Sequence, residues 1–143
     1  MRVVAYTDGA SANNHDAELR CGGWGVVMMF VDDDGKLVDK DGAYKEKSGT
    51  LKGATNNQME LEAVRRALLM FKKDGLTITI HADSEYAIGV LSKGWKPKAN
   101  TNLVLEIKGL LAKHTVRFEW IKGHAGTEHN ERADKLAEEA AQR

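Results

Sequence analysis

The chain predicts an α/β fold: a mixed five-stranded sheet, three antiparallel strands followed by parallel ones, flanked by helices. Three observations carry this. The first fifty residues hold short apolar stretches separated by Gly-containing turns, which is a strand pattern. From residue 57 onward, apolar residues recur at helix spacing and alternate with two short strand patterns. Strands separated by helices pair in parallel through right-handed crossovers.

The elements follow in order. Residues 2–7 form a strand that ends at Asp8, and a long loop covers 9–22. Gly22-Gly23-Trp24-Gly25 opens an apolar run through Val31. Asp34-Gly35 and Asp41-Gly42 are turn signals, and Tyr44 to Thr50 return as the third strand. Asp32, Asp33 and Asp34 are a solvated turn, because Gly35 comes too early for an EF-hand loop. Residues 57–73 are helical, with Met59, Val64, Ala67, Leu68 and Phe71 on one stripe, and Asp74-Gly75 stops the helix. Residues 77–82 alternate as a strand. A short helix, 84–91, is broken at Lys93-Gly94-Trp95-Lys96-Pro97. Leu103, Ile107, Leu110 and Leu111 mark another helix, 116–121 is the last strand, and 127–141 the last helix.

At 143 residues the chain is read as one domain, large enough for a real core. It holds no apolar run of membrane-spanning length and no signal peptide. Cys21 is alone, which excludes an internal disulfide and a thiolate zinc site and points to a reducing cytoplasm. Net charge is zero, yet unevenly spread. Residues 1–50 carry 6 Lys+Arg against 9 Asp+Glu, whereas 92–122 carry seven basic residues against Glu106 and Glu119. One side of the molecule is therefore expected to be modestly basic.

Four acids stand where an acid is awkward. Asp8 and Asp83 end strands, and ligand sites in open α/β sheets form at the carboxyl ends of strands. Glu60 falls on the apolar stripe of its helix, and Asp134 shares a stripe with Ala137 and Ala141. Each has a plain alternative. Asp8-Gly9 makes a turn, Asn57 with Glu60 makes a capping box, Asp83 caps the next helix, and Asp134 is a solvated helix acid. Carboxylates on packed faces nonetheless need a partner, and no single Lys or Arg is placed to serve all four. An oxygen-ligated Mg²⁺ or Mn²⁺ is the economical choice.

Six blocks then occur in order: Tyr6-Thr7-Asp8-Gly9, Gly22-Gly23-Trp24-Gly25, Thr55-Asn56-Asn57-Gln58-Met59-Glu60-Leu61, Asp83-Ser84-Glu85-Tyr86, Trp120 to Gly126, and Asn130-Glu131-Arg132-Ala133-Asp134. Together they resemble type 1 ribonuclease H along essentially the whole chain. The resemblance implies the ribonuclease H-like fold and a single catalytic domain over 1–143. It implies endonucleolytic hydrolysis of the RNA strand of RNA–DNA hybrids, leaving 5′-phosphate and 3′-hydroxyl ends. It implies two Mg²⁺ ions held by Asp8, Glu60, Asp83 and Asp134, with Mn²⁺ able to substitute, and a proton-transfer role for His124. Substrate contacts are implied at Gly9, Ser11, Asn56, Asn57 and Glu85. Thr55 and Asn14 are implied to hold a DNA phosphate, and Trp95 to stack on nucleic acid or pack its own loop. A monomeric cytoplasmic enzyme is expected, self-contained rather than cut from a reverse transcriptase.

The chain departs from the family in places. Asn14 precedes His15 where the family commonly has Pro, Glu85 stands where Gln is common, and 32–43 lengthens a hairpin. The basic helix with tryptophans found in many bacterial members shrinks to Ser92 to Lys98, which predicts weaker, less salt-sensitive binding. Exonucleases, resolvases and transposase cores on the same fold share clustered acids but lack the Asn56-Asn57 and Lys122 to Gly126 blocks. A non-catalytic hybrid-binding module would not need all four acids and His124, and a calcium binder gives no reason for the Asn pair.

Overall fold

In the computed structural model, residues 2–13, 15–16, 18–122 and 127–142 are described. Five strands, β1 (Arg2–Ala12), β2 (Cys21–Val31), β3 (Tyr44–Lys52), β4 (Thr77–Ala82) and β5 (Thr115–Trp120), form one sheet in the order β3-β2-β1-β4-β5. The β1–β2 and β2–β3 pairs are antiparallel, and β1–β4 and β4–β5 are parallel. The helices are α1 (Asn56–Leu69), α2 (Glu85–Ser92), α3 (Thr101–Leu111) and α4 (Glu128–Ala141). The mixed sheet expected from the sequence is the one observed.

One sheet face carries Val3, Ala5, Val26, Met28, Ile78 and Ile80, packed against Met59, Leu61, Val64 and Leu68 of α1, Val90 of α2, and Val104 and Ile107 of α3. Fully burying each large aliphatic side chain contributes about 1.5–3 kcal/mol. The other face receives α4, whose Ala133 and Leu136 meet Val27 and Tyr6. The Gly22-Gly23-Trp24-Gly25 block explains how α4 comes so close. A Cβ on Gly23 would lie 2.2 Å from the Ala137 carbonyl oxygen, and one on Gly25 2.4 Å from that of Ala133. Trp24, between them, turns to the opposite face and lies under the Arg66 guanidinium, 5.2 Å from its ring centroid.

Three boundaries differ from the sequence reading. β1 does not stop at residue 7, because Asp8 to Ala12 pair with Gly25 to Cys21, so the strand runs into the span 9–22 expected to be loop. These residues lack apolar alternation, and only their partner strand extends them. α1 ends at Leu69, not 73: its last turn tightens, with Met70 N–H donating to the Ala67 carbonyl. That frees Phe71 to pack edge-on against Phe30 and His114. The cap of α1 is Thr55, whose hydroxyl accepts from Gln58 N–H at 3.2 Å. The N-cap is therefore Thr55, not Asn57.

Candidate active site

The parallel β1–β4 pairing ends at the rung Thr7–Ala82. Asp8 and Asp83 are the next residues of their chains, so the two carboxylates stand side by side where the sheet parts. β1 here lies between an antiparallel and a parallel neighbour, a crevice of the kind that holds ligands in such sheets. Asp83 does not cap α2; Ser84 does, accepting from Ala87 N–H at 3.1 Å. Glu60 enters from α1 and accepts the Gly9 N–H. This needs Gly9, because a Cβ there would lie 2.3 Å from backbone atoms of Met59 and Glu60.

Carboxylate oxygens of Asp8, Glu60 and Asp83 lie within 4.8 Å of one another. Asp134, half-buried on α4, stands beside Asp8 and adds to the upward push on its carboxyl. Burial, then the neighbouring Glu60 charge, pushes the Asp8 carboxyl far above the ordinary carboxylate range. Burial also raises Glu60, with Asp83 adding to the rise and the bonds from Asp8 and Gly9 opposing it.

Glu62 supplies the contrast. It is equally buried on α1 but accepts from Arg66 Nε at 3.0 Å and from Arg65 Nη1 at 3.3 Å. Among the described residues, no Lys or Arg forms an ion pair with Asp8, Glu60, Asp83 or Asp134. An all-oxygen donor set, mutually repelling and without a protein cation, fits a hard divalent metal.

The other site residues fall into two places. Thr55, Asn56 and Asn57 line an open groove of about 780 Å³ with Tyr86, Val90, Trp95, Lys96, Lys98, Ala99 and Asn100. Thr55 spends an acceptor lone pair on its cap bond and keeps its O–H to donate. Glu85 lies instead in an adjoining slot with Ile88, Lys93, Trp95 and Trp120. Trp95 lines both spaces, and its six-membered ring sits on Gly89, where a Cβ would be 2.0 Å away. It thus packs its loop and keeps 46% of its surface exposed. Ser11 donates its hydroxyl to the Ala54 carbonyl at 2.9 Å. Asn14 and His124 lie outside the described residues.

The sequence reading did not single out Lys96, Lys98, Tyr86 and Asn100 as groove residues. The basic bias of 92–122 was the available signal. The sequence reading also passed over Asn130, which lies one turn before Asp134 and is 4% exposed; its Oδ1 has no hydrogen-bond partner among the described residues.

A family model described as RNase H matches residues 1–142. The ribonuclease H of Francisella philomiragia is 37% identical over 151 residues, covering 96% of this chain and 90% of its own. That of Francisella tularensis subsp. novicida is 37% identical over 152, covering 97% and 90%. Among solved structures, LC9-RNase H1, a type 1 RNase H with the type 2 active-site motif, superposes with a TM-score of 0.76 at 27% identity, covering 98% of this chain and 72% of that one. LC11-RNase H1, solved with an RNA/DNA hybrid, gives 0.75 at 27% identity, covering 99% and 97%. With a matching fold, a cluster of three carboxylates and this span of similarity, the chain belongs to the RNase H family of enzymes.

Proposed function

We propose that this protein hydrolyses the RNA strand of RNA–DNA hybrids endonucleolytically, with divalent metal held by Asp8, Glu60, Asp83 and Asp134. The observation that carries the reading is the set of three carboxylates within 4.8 Å, in a member of this family and with no ion pair to a Lys or Arg among the described residues. Two Mg²⁺ ions, replaceable by Mn²⁺, supply charge stabilisation at the attacking and leaving oxygens. Asp8 would help hold both ions, Asp134 the one that would activate the attacking water, and Glu60 with Asp83 the one that would stabilise the leaving 3′ oxygen. Water adds to phosphorus as the bond to the 3′ oxygen breaks, which yields 5′-phosphate and 3′-hydroxyl ends. His124 assists proton transfer and product departure, since an imidazole titrates near neutrality.

Hybrid recognition falls to the first turn of α1 and the groove beside it. Asn56, Asn57 and Glu85, with backbone groups from Gly9 to Ser11, read the minor groove, where 2′-hydroxyls separate RNA from DNA. The Thr55 hydroxyl and Asn14 hold a DNA phosphate. Lys96 and Lys98, with Trp95 offering its exposed surface, take part of the role of the missing basic helix. Residues 1–143 act as one catalytic domain, monomeric and cytoplasmic.

The test offers labelled hybrid, double-stranded RNA, single-stranded RNA and duplex DNA, each with Mg²⁺ and with chelator. Metal-dependent cleavage confined to the RNA of the hybrid is expected. Cleavage of duplex DNA, or none of any substrate, overturns the reading.

A further inference from the structure

Beneath the carboxylates lies an aromatic rung that the chemistry above does not use. Tyr6 and His81 are register partners on β1 and β4, two residues before Asp8 and Asp83. Their rings stack with centroids 4.5 Å apart and planes 11° from parallel. The Tyr6 hydroxyl lies near enough to the Thr127 side chain for that neighbour to oppose the upward push of burial on its pKa, and the ring packs against Ala133 and Leu136 of α4. Thr127 is the N-cap of α4 and accepts from Asn130 N–H at 3.3 Å. His129, in that same first turn, tilts against Tyr6 at 5.5 Å and against Tyr44 at 6.1 Å. One side chain therefore touches the three elements that supply Asp8, Asp83 and Asp134.

Further along α4 a second tie exists. Arg132 donates from Nε and Nη2 to the two Glu46 oxygens of β3, both at 2.9 Å. That pair holds the helix to the far edge of the sheet. Tyr6 holds its first turn to the centre, one turn and a half from Asp134 and directly after the segment that carries His124. We infer that Tyr6 is a positioning residue, which through its stack on His81 and its contacts with the first turn of α4 around Thr127 and His129 fixes the start of that helix so that Asp134 meets the metal cluster. The inference rests on the metal-dependent reading above.

Tyr6→Phe keeps the stack and deletes the hydroxyl. Calorimetric titration of Mg²⁺ into the free variant should show affinity lowered by about 3- to 10-fold, and kcat on the hybrid should fall by a similar factor with KM within about twofold, since a misplacement well under 1 Å is sufficient. Hydrogen exchange of amides 128–131 should quicken by about tenfold, while α1 amides keep their rates. Thr127→Val should reproduce the kcat loss, and the double variant should lose little more than either single one.

Unchanged metal affinity and exchange in Tyr6→Phe overturns the inference. So does a fall in thermal stability with kcat and metal affinity intact, the mark of packing alone, or single-variant losses that simply multiply. If the wild-type protein cleaves no hybrid, the proposed function falls separately, and metal binding and exchange still decide the role of Tyr6.

Discussion

The carboxylate cluster and the groove next to it are built by different means. Asp8, Glu60, Asp83 and Asp134 come from β1, α1, the end of β4 and α4, all anchored in the buried core. The groove has one wall of that kind, the first turn of α1, and another made by the loop 93–100. The loop is held by few contacts: Trp95 on Gly89, Trp95 N–H donating to the Gly89 carbonyl at 3.2 Å, and the Tyr86 hydroxyl donating to the Ala99 carbonyl at 3.3 Å. One region is acidic, partly buried and dictated by the fold; the other is basic and open. Chemistry and grip should therefore fail separately.

The largest effect belongs to Asp8→Asn. Losing a central ligand removes several kcal/mol of transition-state stabilisation, a loss in kcat on the order of 10³-fold or more. The same variant should stabilise the protein in chelator, by roughly 2–5 °C in Tm for about 1 kcal/mol relieved. The sign follows from the raised carboxyls. In the folded state Asp8 and Glu60 hold protons that the unfolded chain releases above about pH 4. Metal-free wild type should thus lose stability as pH rises from about 4 toward neutrality, and Asp8→Asn should flatten that slope. Calorimetry with and without Mg²⁺ checks both; a destabilised Asp8→Asn in chelator would mean the acids are not in conflict.

Gly9→Ala probes how firmly the core sets the cluster. Its Cβ would overlap the α1 backbone at Met59 and Glu60. The helix must move, at a cost of about 1–3 kcal/mol in stability. Glu60 moves with it, and kcat should drop on the order of 10²-fold. Equal kcat in the two proteins would show that the cluster tolerates displacement and that the contrast with the groove is overstated.

Most of the cluster was legible in the sequence because secondary-structure periodicity places it. Asp8 and Asp83 follow apolar strand patterns, and Glu60 keeps helical phase with Val64. The groove was not legible, for a physical reason. Nothing local in Lys93 to Asn100 says that Trp95 will close onto a glycine six residues back on α2. The extension of β1 through Ala12 was hidden likewise, since small polar residues become strand only through their partner. The Tyr6–His81 stack needs the β1–β4 register, which periodicity alone leaves open. The cap falls on Thr55 rather than Asn57, one of three consecutive polar residues that sequence alone does not separate, and this leaves Asn56 and Asn57 exposed on the first turn of α1.

The groove side is tested by Lys96→Ala with Lys98→Ala. Each phosphate contact contributes about 0.9 to the slope of log affinity against log salt, so the pair should lower it by about 1–2. KM should rise at moderate salt while kcat holds. A fall in kcat equal to the rise in KM would show that the loop reaches the chemistry and would dissolve the separation.

Glu85 is the exception inside the basic region and should give the smallest effect. It is exposed on the first turn of α2, in the slot shared with Lys93, Trp95 and Trp120. Its carboxylate accepts only, so it receives hydrogen bonds from 2′-hydroxyls or base amino groups but donates none, and it repels phosphate. Exposed charges about 4 Å apart interact by about 1 kcal/mol in water, and less once screened by salt. Glu85→Gln restores a donor and removes that repulsion, so KM for the hybrid should fall by about two- to threefold at low salt. The gain should fade at high salt, because its electrostatic part is screened, while kcat stays constant. A rise in KM instead would mean that Glu85 accepts from the RNA strand, and that this negative charge belongs to the grip rather than opposing it.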